Sequence, residues 1–557
     1  MRLWPAVLLL LPLPLSAAPR APAPPDAAAV GAFVEKQLVE RYPQGGPGAA
    51  VLVARGDTVL YRGAQGLASV ELGVPLTPDH VFRIGSVTKQ FAAAALLKLV
   101  EAGKIGLDDA LSRYLPDYPN GEKISVRQLL DHTSGIKSYT ELPEVMGGTI
   151  RNDLTTAALI ASFKDQPVSF PPGAQWAYNN SGYVLVGAVI EAVSGTSWHA
   201  YVDTALLAPL GLKHTQYGAN DRLIRGMAGG YTVRDNAWAP MAFLSMTQPH
   251  AAGALVSTLD DLHAWNRALH EGQLLKPDLY VAMTTPAGPA ESAHYGFGIA
   301  RGTLRGHLKF DHSGGIFGFA SYLLYVPDTE LSVVVLQNAD ASLNGRGDPG
   351  QLAALAAAFA LGDPFPEAQP VAVDAERLRE AEGVYRIDAK NSRVLRIVEG
   401  QLTAQRSGGE RMNLLPIAAD RFLYEGSLTE ARLERDAAGK IIALRVVHDG
   451  EGEGERSPRS DDPLPAARQG IVLDTSQIER VLGAWRAGEL RMRVYLDGGQ
   501  LQAQLDGQPA FELHAESAST FFLTAVDATL VFAPETGQAQ ALTLRQGEAV
   551  IRFERVE

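Results

Sequence analysis

From residue 374 to the C-terminus the chain carries one pattern twice, and this repeat constrains its architecture more than any other feature. Gly383-Val384-Tyr385 is matched by Gly483-Ala484-Trp485, and Val398-Glu399-Gly400-Gln401-Leu402 by Asp497-Gly498-Gly499-Gln500-Leu501. Arg421-Phe422-Leu423 is matched by Phe521-Phe522-Leu523, and the turn at Gly439 by that at Gly537. A period of about 100 residues, set by a few glycines and aromatics, divides this region into two like units. Within them, runs such as Leu490-Met492-Val494-Leu496 alternate with period two, broken by turn residues every 8–12 positions or so. Each unit, 374–450 and 472–557, is expected to be a small antiparallel β-barrel or curved sheet. Between them, Gly450-Glu451-Gly452-Glu453-Gly454-Glu455 and Asp461-Asp462-Pro463 predict a solvated connector. Alternating glycine cannot hold carboxylates in the fixed geometry of a cation site. Neither unit contains a cluster of catalytic residue types.

The region before residue 362 is organised differently. Ala49 to Ala54 and Thr58 to Arg62 predict two antiparallel strands joined at Gly56-Asp57. Gln90 to Ala102 predicts a buried helix ended by Gly103, and a second helix is expected from Gly182 to Val193. Phe319 to Val326 and Leu331 to Gln337 predict a hairpin turning at Pro327-Asp328, followed by an Ala-rich helix at 351–361. Strands at both ends with helices between them imply an α/β (α+β) domain over residues 27–362. Its antiparallel sheet is closed by pairing the two ends of the domain and is covered by helices on both faces. Gly362-Asp363-Pro364-Phe365-Pro366 through Pro370 predicts a linker.

At the N-terminus, Met1-Arg2 precedes an apolar run from Leu3 to Leu15 and the small residues Ser16-Ala17-Ala18. This is the pattern of a cleavable signal peptide over residues 1–18, which predicts a secreted or periplasmic protein. The run falls short of the 20 or so residues that span a bilayer, and Pro5, Pro12 and Pro14 interrupt it. Residues 19–26 form a Pro-rich tether. The 557 residues include no cysteine. Disulfides, thiolate metal sites, a thiol nucleophile and a lipoprotein anchor are thereby excluded, and stability must come from buried area. Sixty-two acidic against 49 basic residues give a net charge of −13, which disfavours nucleic acid as a partner. No clustered His and carboxylate set predicts a metal, and no cofactor is implied.

The remaining chemistry is that of hydroxyl, amine, imidazole and carboxylate groups. A hydroxyl nucleophile needs a base, and Ser-x-x-Lys at a helix start supplies one, because positions i and i+3 share a face. The helix N-terminus adds positive potential where negative charge develops. The pattern occurs twice. Ser86-Val87-Thr88-Lys89 stands directly before the buried helix, whereas Ser134-Gly135-Ile136-Lys137 lies in a loop with no strong helix following. Context favours Ser86. For Lys89 to act as a base near neutrality its pKa must fall by about 3 pH units, which costs roughly 4 kcal/mol of ammonium stabilisation. Burial would supply that. Tyr-x-Asn also occurs twice, at Tyr118-Pro119-Asn120 and at Tyr178-Asn179-Asn180, and only the second leads into an apolar helix. His-x-Gly occurs at His270, His312 and His448, and only His312-Ser313-Gly314-Gly315 precedes a core strand. Asp131 and His132 are expected to support the loop beneath the site, and Asp108-Asp109 and Tyr114 to serve as helix-start and packing residues. The spacing Gly296, Gly298, Gly302 lacks the βαβ unit that a nucleotide loop requires.

Four blocks in order resemble the class C β-lactamase-like serine hydrolases: Phe82-Arg83-Ile84-Gly85-Ser86-Val87-Thr88-Lys89, Leu129-Leu130-Asp131-His132-Thr133-Ser134-Gly135, Phe170-Pro171-Pro172-Gly173 through Tyr183, and His312 through Phe319. That family includes β-lactamases, D-alanyl-D-alanine carboxypeptidases, D-aminopeptidases and esterases, and the resemblance spans about residues 35–360. It implies a β-lactamase and penicillin-binding-protein-like fold, with a helical subdomain beside the sheet. It also implies Ser86 as acylated nucleophile, with Lys89 and Tyr178 sharing the acid and base work. Asn180, His312, Gly314 and Gly315 are implied as substrate-binding residues, and the N–H groups of Ser86 and Gly315 as the oxyanion hole. Histidine stands at 312 where β-lactamases carry lysine, which ranks peptidase or esterase action above β-lactam hydrolysis. The implied partner is a small peptide, amide or ester, peptidoglycan fragments included; the oligomeric state is open. Two other readings are a silent cell-wall-peptide-binding protein using the same pocket and an adhesion platform built on the β-modules. The first is disfavoured because Ser86, Lys89, Tyr178 and His312 are all present, the second because the modules lack a clustered aromatic or charged motif.

Overall fold

The computed structural model describes residues 24–556, apart from 43, 235, 344–346, 367–370, 449–451, 467, 469, 489, 506–509 and 548. The expected signal peptide lies outside the described residues, as do parts of both connectors. Among the described residues no helix is long and apolar enough to cross a membrane.

The hydrolase-like region is built on six strands: β1 (Ala49–Arg55), β2 (Thr58–Gln65), β3 (Ala300–Leu304), β4 (His307–Ile316), β5 (Phe319–Val326) and β6 (Leu331–Gln337). Their order is β3-β4-β5-β6-β1-β2, so the first strand pairs with the last, Val51 opposite Val335. The sheet is buried on both faces, which explains the unbroken apolar runs in β1 and β6. Ala50, Leu52 and Ala54 point into one core, while Ala49, Val51 and Val53 point into the other. The second core is covered by α1 (Ala27–Arg41) and the Ala-rich helix, which runs from Pro349 to Leu361. The first is covered by α2 (Thr88–Glu101), α3 (Asn180–Ser194) and the helix Leu259–His270, with shorter helices such as Val126–Leu130 and Thr156–Ala161 forming the helical lobe.

Helix α2 begins two residues before the predicted start, and a 3-10 turn at Gly85–Val87 leads into it. Strands β3 and β4 were not legible from the apolar pattern, because β4 (HLKFDHSGGI) alternates poorly and contains two glycines. They add the edge of the sheet on which His312 sits.

The two trailing modules repeat strand for strand. The first is an eight-stranded antiparallel sheet from Gly383 to Pro458, brought nearly to closure by a bridge between Tyr385 and Arg459. The second is a closed barrel of eight strands, with Ala484 paired to Val556. The matched aromatics Tyr385 and Trp485 are fully buried in their respective cores. The strand Glu455–Pro458 pairs with Ile441–Val447 and carries the first module past residue 450, into the segment expected as connector. Its only fully buried side chain is Ser457, so it offers no hydrophobic signal.

Ala356, Ala357, Ala358 and Ala360 are fully buried, so the C-terminal helix of the first domain seats closely on β5 and β6 because its side chains are small. Ala357→Leu is expected to overpack this seam and cost about 1–3 kcal/mol, seen as a lower urea midpoint; an unchanged midpoint would contradict so close a seat.

Candidate active site

Ser86 lies in the 3-10 turn before α2, half-buried, and Lys89 stands one turn later, fully buried. Lys89 Nζ is 3.0 Å from Ser86 Oγ, 2.9 Å from Asn180 Oδ1 and 2.9 Å from the carbonyl oxygen of Ala252. None of these partners is charged. Burial therefore pushes the Lys89 pKa well below its usual value. Asn180 opens α3 behind the N-cap Asn179, whose Oδ1 accepts from Gly182 N at 2.8 Å. The Asn180 amide also donates to Thr140 Oγ1 at 3.1 Å, which orients Oδ1 toward the lysine.

Tyr178 brings its ring beneath the amine nitrogen, 4.7 Å from centroid to Lys89 Nζ. Burial raises the pKa of its hydroxyl, while an interaction with Ser86 acts in the opposite direction. The nucleophile turn also approaches the edge of β4. Gly85 has φ +47°, and a Cβ there would sit 2.9 Å from the Gly315 carbonyl oxygen and 3.0 Å from its nitrogen. The Cβ position of Gly315 faces open space, whereas that of Gly314 is filled by the Ile84 carbonyl. Gly314 thus serves close packing of the strand against the nucleophile turn.

His312 is buried, and both ring nitrogens are engaged. Nδ1 lies 2.5 Å from the Ser313 carbonyl oxygen and Nε2 lies 2.7 Å from the Tyr295 hydroxyl. Burial, with Lys89 nearby, lowers its pKa to about 3. The ring is neutral and holds Tyr295, leaving no ring nitrogen for a substrate. His132 lies behind Tyr178 at a ring separation of 4.5 Å, with Nδ1 accepting from Asn179 N, and Asp131 accepts from Thr133 N and Oγ1.

The competing motifs lead elsewhere. Ser134 is buried and accepts only a long bond from Ile136 N, while Lys137 pairs with Glu141. His270 is stacked between Phe310 and Tyr325, and His448 is exposed on the first β-module. Asp109 receives Gly106 N and the Tyr114 hydroxyl in a turn, and Asp108 pairs with Arg127.

Sequence reasoning missed Tyr295, Trp176, Thr140 and the Ala252 carbonyl. Tyr295 had a signal. It precedes Gly296 and Gly298, and a Cβ at Gly298 (φ +70°) would lie 2.7 Å from the Lys89 carbonyl. Those glycines, without a role as a nucleotide loop, let this segment pass against the backbone of α2. Two cavities meet at Ser86. An apolar one of about 140 Å³ is lined by Met146, Ile150, Leu244 and Phe317, with Asn180. The other, about 490 Å³, is lined by Trp176, Tyr178, Tyr295, Asp311 and His312.

Gly85→Ala is expected to cost about 1–3 kcal/mol in a denaturant titration, since the backbone conformation and the Gly315 contact both exclude a side chain; a wild-type midpoint would refute that approach. Acid stability has a separate origin. His132, His270 and His312 are held neutral by burial, the last two down to about 3. Below about pH 6.5 the unfolded chain binds protons that the folded chain refuses, so each group removes about 1.4 kcal/mol per pH unit as pH falls toward its folded pKa. Asp131, raised to about 6 by burial, opposes them between about pH 6 and 4. His270→Phe should flatten the acid limb of a stability–pH curve, and an unaltered limb would contradict a neutral buried His270.

The chain is similar in sequence and fold to known proteins. The Beta-lactamase family model matches residues 35–358. A D-aminopeptidase of Gluconobacter oxydans is 30% identical over 308 residues, covering 54% of this chain and 57% of the relative. The chain thus spans little more than half the length of that relative. A D-stereospecific amidohydrolase from Streptomyces sp. superposes with a TM-score of 0.52 at 32% identity, over 59% of this chain and 97% of that one. The octameric penicillin-binding protein homologue from Pyrococcus abyssi, 21% identical, shares the fold over 95% of this chain and 100% of its own, TM-score 0.52. The chain belongs to the Beta-lactamase family, a family of serine hydrolases, through its first domain.

Proposed function

We propose that this chain is an exported serine hydrolase that forms an acyl-Ser86 intermediate on D-amino-acid peptides, amides or esters. The observation that carries the proposal is the bonding of Lys89. A neutral amine has two N–H groups and one lone pair. Asn180 Oδ1 and the Ala252 carbonyl accept the two N–H groups, so the lone pair is left for the Ser86 hydroxyl proton. Ser86 Oγ attacks the substrate carbonyl carbon as its proton passes to Nζ. The oxyanion forms against the backbone N–H groups of Ser86 and Gly315, each such donor contributing about 3 kcal/mol. Tyr178 keeps its proton at neutral pH because burial raises its pKa. It gives that proton to the departing nitrogen or oxygen as the scissile bond breaks, and recovers one from the Lys89 ammonium. Water then attacks the acyl carbonyl and the same groups return Ser86 to its free form. Asn180 orients Lys89, and His312 acts through Tyr295.

The preference for D-configured substrates rests on the relatives, one named a D-aminopeptidase and another a D-stereospecific amidohydrolase. The apolar cavity beside Asn180 suits an uncharged side chain. A neutral His312 supplies no cation for a β-lactam carboxylate, which supports amide and ester substrates over β-lactams. The apolar N-terminal run supports export.

Intact-mass analysis after a fluorophosphonate or penicillin probe tests the nucleophile. An adduct is expected on the wild type and on Ser134→Ala, and none on Ser86→Ala. No adduct with either probe, or one that survives Ser86→Ala, would falsify the assignment. Lys89→Met is expected to lower kcat/KM on a D-amino-acid p-nitroanilide by about 10²–10⁴-fold, and near-wild-type turnover would remove Lys89 from the chemistry.

A further inference from the structure

We propose that His250, which lines neither cavity at Ser86, is a positioning residue that aims the Ala252 carbonyl at Lys89. This role rests on the acyl-Ser86 reading, in which that carbonyl takes one N–H of the neutral amine and leaves the lone pair for Ser86. Ala252 belongs to a short helix, His250–Gly253, whose first residue has φ +46°. The left-handed region is uncommon for a residue with a side chain, and it persists only where the surroundings fix it. The ring of His250 supplies that fixing. The residue is 6% exposed, and its imidazole fills a space that α3 opens at Gly187, where a Cβ would lie 2.5 Å from Cε1 and 2.7 Å from Nδ1. The Trp198 ring is 5.4 Å away. Nε2 lies 3.1 Å from Thr156 Oγ1 and 3.8 Å from Glu191 Oε1, and Glu191 itself accepts from Trp198 N. Three helices, Thr156–Ala161, α3 and Trp198–Val202, thus grip this one side chain.

The other side of the same turn faces the chemistry. Pro249, Ala252 and Gly253 line the apolar cavity at Ser86, and a Cβ on Gly253 would lie 3.7 Å from the Gly85 carbonyl carbon. The Pro249 carbonyl accepts from Ala252 N at 2.9 Å and the His250 carbonyl from Ala254 N at 3.0 Å, so the turn moves as a unit. Rotation of the backbone at His250 would therefore carry the Ala252 oxygen away from Lys89 Nζ, which it meets at 2.9 Å. An amine released from that carbonyl turns about its terminal bond, and its lone pair no longer stays on Ser86. The segment keeps its place without the ring, because the buried Gln248 amide donates to the Thr149 and Asn152 carbonyls at 2.9 and 2.8 Å. His250 thus governs the direction of a carbonyl, and through it the lysine.

Steady-state kinetics of the full-length His250→Gly protein with p-nitrophenyl butyrate test this role. Glycine adopts the left-handed conformation readily, so the variant removes the ring and relieves the backbone together. Its kcat is expected to fall about 10–100-fold with KM within about threefold of wild type, while thermal melts show a folded protein. Gly187→Ala, whose Cβ displaces the ring, should reproduce the loss with His250 in place, and should add nothing once His250→Gly has removed the ring. His250→Gln, which keeps a polar atom near the Nε2 position, should restore part of kcat. Combined with Lys89→Met, His250→Gly should slow fluorophosphonate labelling of Ser86 no further than Lys89→Met does alone. Wild-type kcat in His250→Gly, a raised KM at unchanged kcat, a further loss in the Lys89→Met background, or a His250→Gly chain that does not fold would each overturn the positioning role. A wild type that takes up no fluorophosphonate would count against the acyl-Ser86 reading, whereas a labelled wild type with unaltered His250→Gly kinetics would count against His250 alone.

Discussion

A primary amine buried without a counter-ion is the constraint around which the first domain is arranged. Lys89 is fully enclosed, and its three hydrogen-bond partners are a hydroxyl, a side-chain amide and a backbone carbonyl. Such a group is tolerated only when every N–H is satisfied and the charge is suppressed, because an unpaired buried ammonium is strongly disfavoured. The partners come from three separate parts of the chain, around residues 86, 180 and 252. The site therefore exists only when the sheet, α2 and the helical lobe are docked together.

Close backbone approaches achieve that docking. The turn at Ser86 meets β4 where Gly85 faces Gly315, and the loop before β3 passes over Lys89 at Gly298. Side chains at Gly85 or Gly298 would separate elements that must touch for Ser86 to sit between Lys89 and β4. The fully buried alanines from Ala92 to Ala95 on α2 serve the same end, allowing the catalytic helix to be surrounded on every side.

Much of this was legible in the sequence where physical signals are local. The doubled β-modules followed from period-two alternation and recurring turns, and the matched Tyr385 and Trp485 each occupy a core. The paired strands β1 and β6 followed from apolar runs. Ser86 and Lys89 were distinguishable from Ser134 and Lys137 because only the first pair precedes a buried helix. Strand β4 was less legible, since its Gly- and His-containing segment has no clean alternation, and the strand Glu455–Pro458 begins only on the last residue of the Gly-Glu run and buries one side chain, Ser457. Tyr295 was marked only by the glycines that follow it. Its contact with His312 spans 17 residues across two strands, and no spacing rule anticipates it.

The role of His312 shows the same division. From sequence it stood as a substrate-binding residue at the edge of a strand. In the fold its ring is neutral and committed at both nitrogens, one to Ser313 and one to Tyr295. By itself the sequence determined the α/β domain followed by two β-modules, singled out Ser86 and Lys89 as the candidate pair, and excluded cysteine chemistry. These depend on residue type and on spacing within a turn or strand. The tertiary structure alone decided the uncharged surroundings of Lys89, the engagement of both His312 ring nitrogens and the packing of Trp176, Tyr178 and Tyr295 around His132. Burial and hydrogen-bond direction are properties of neighbours brought together from distant parts of the chain, and only folding creates them.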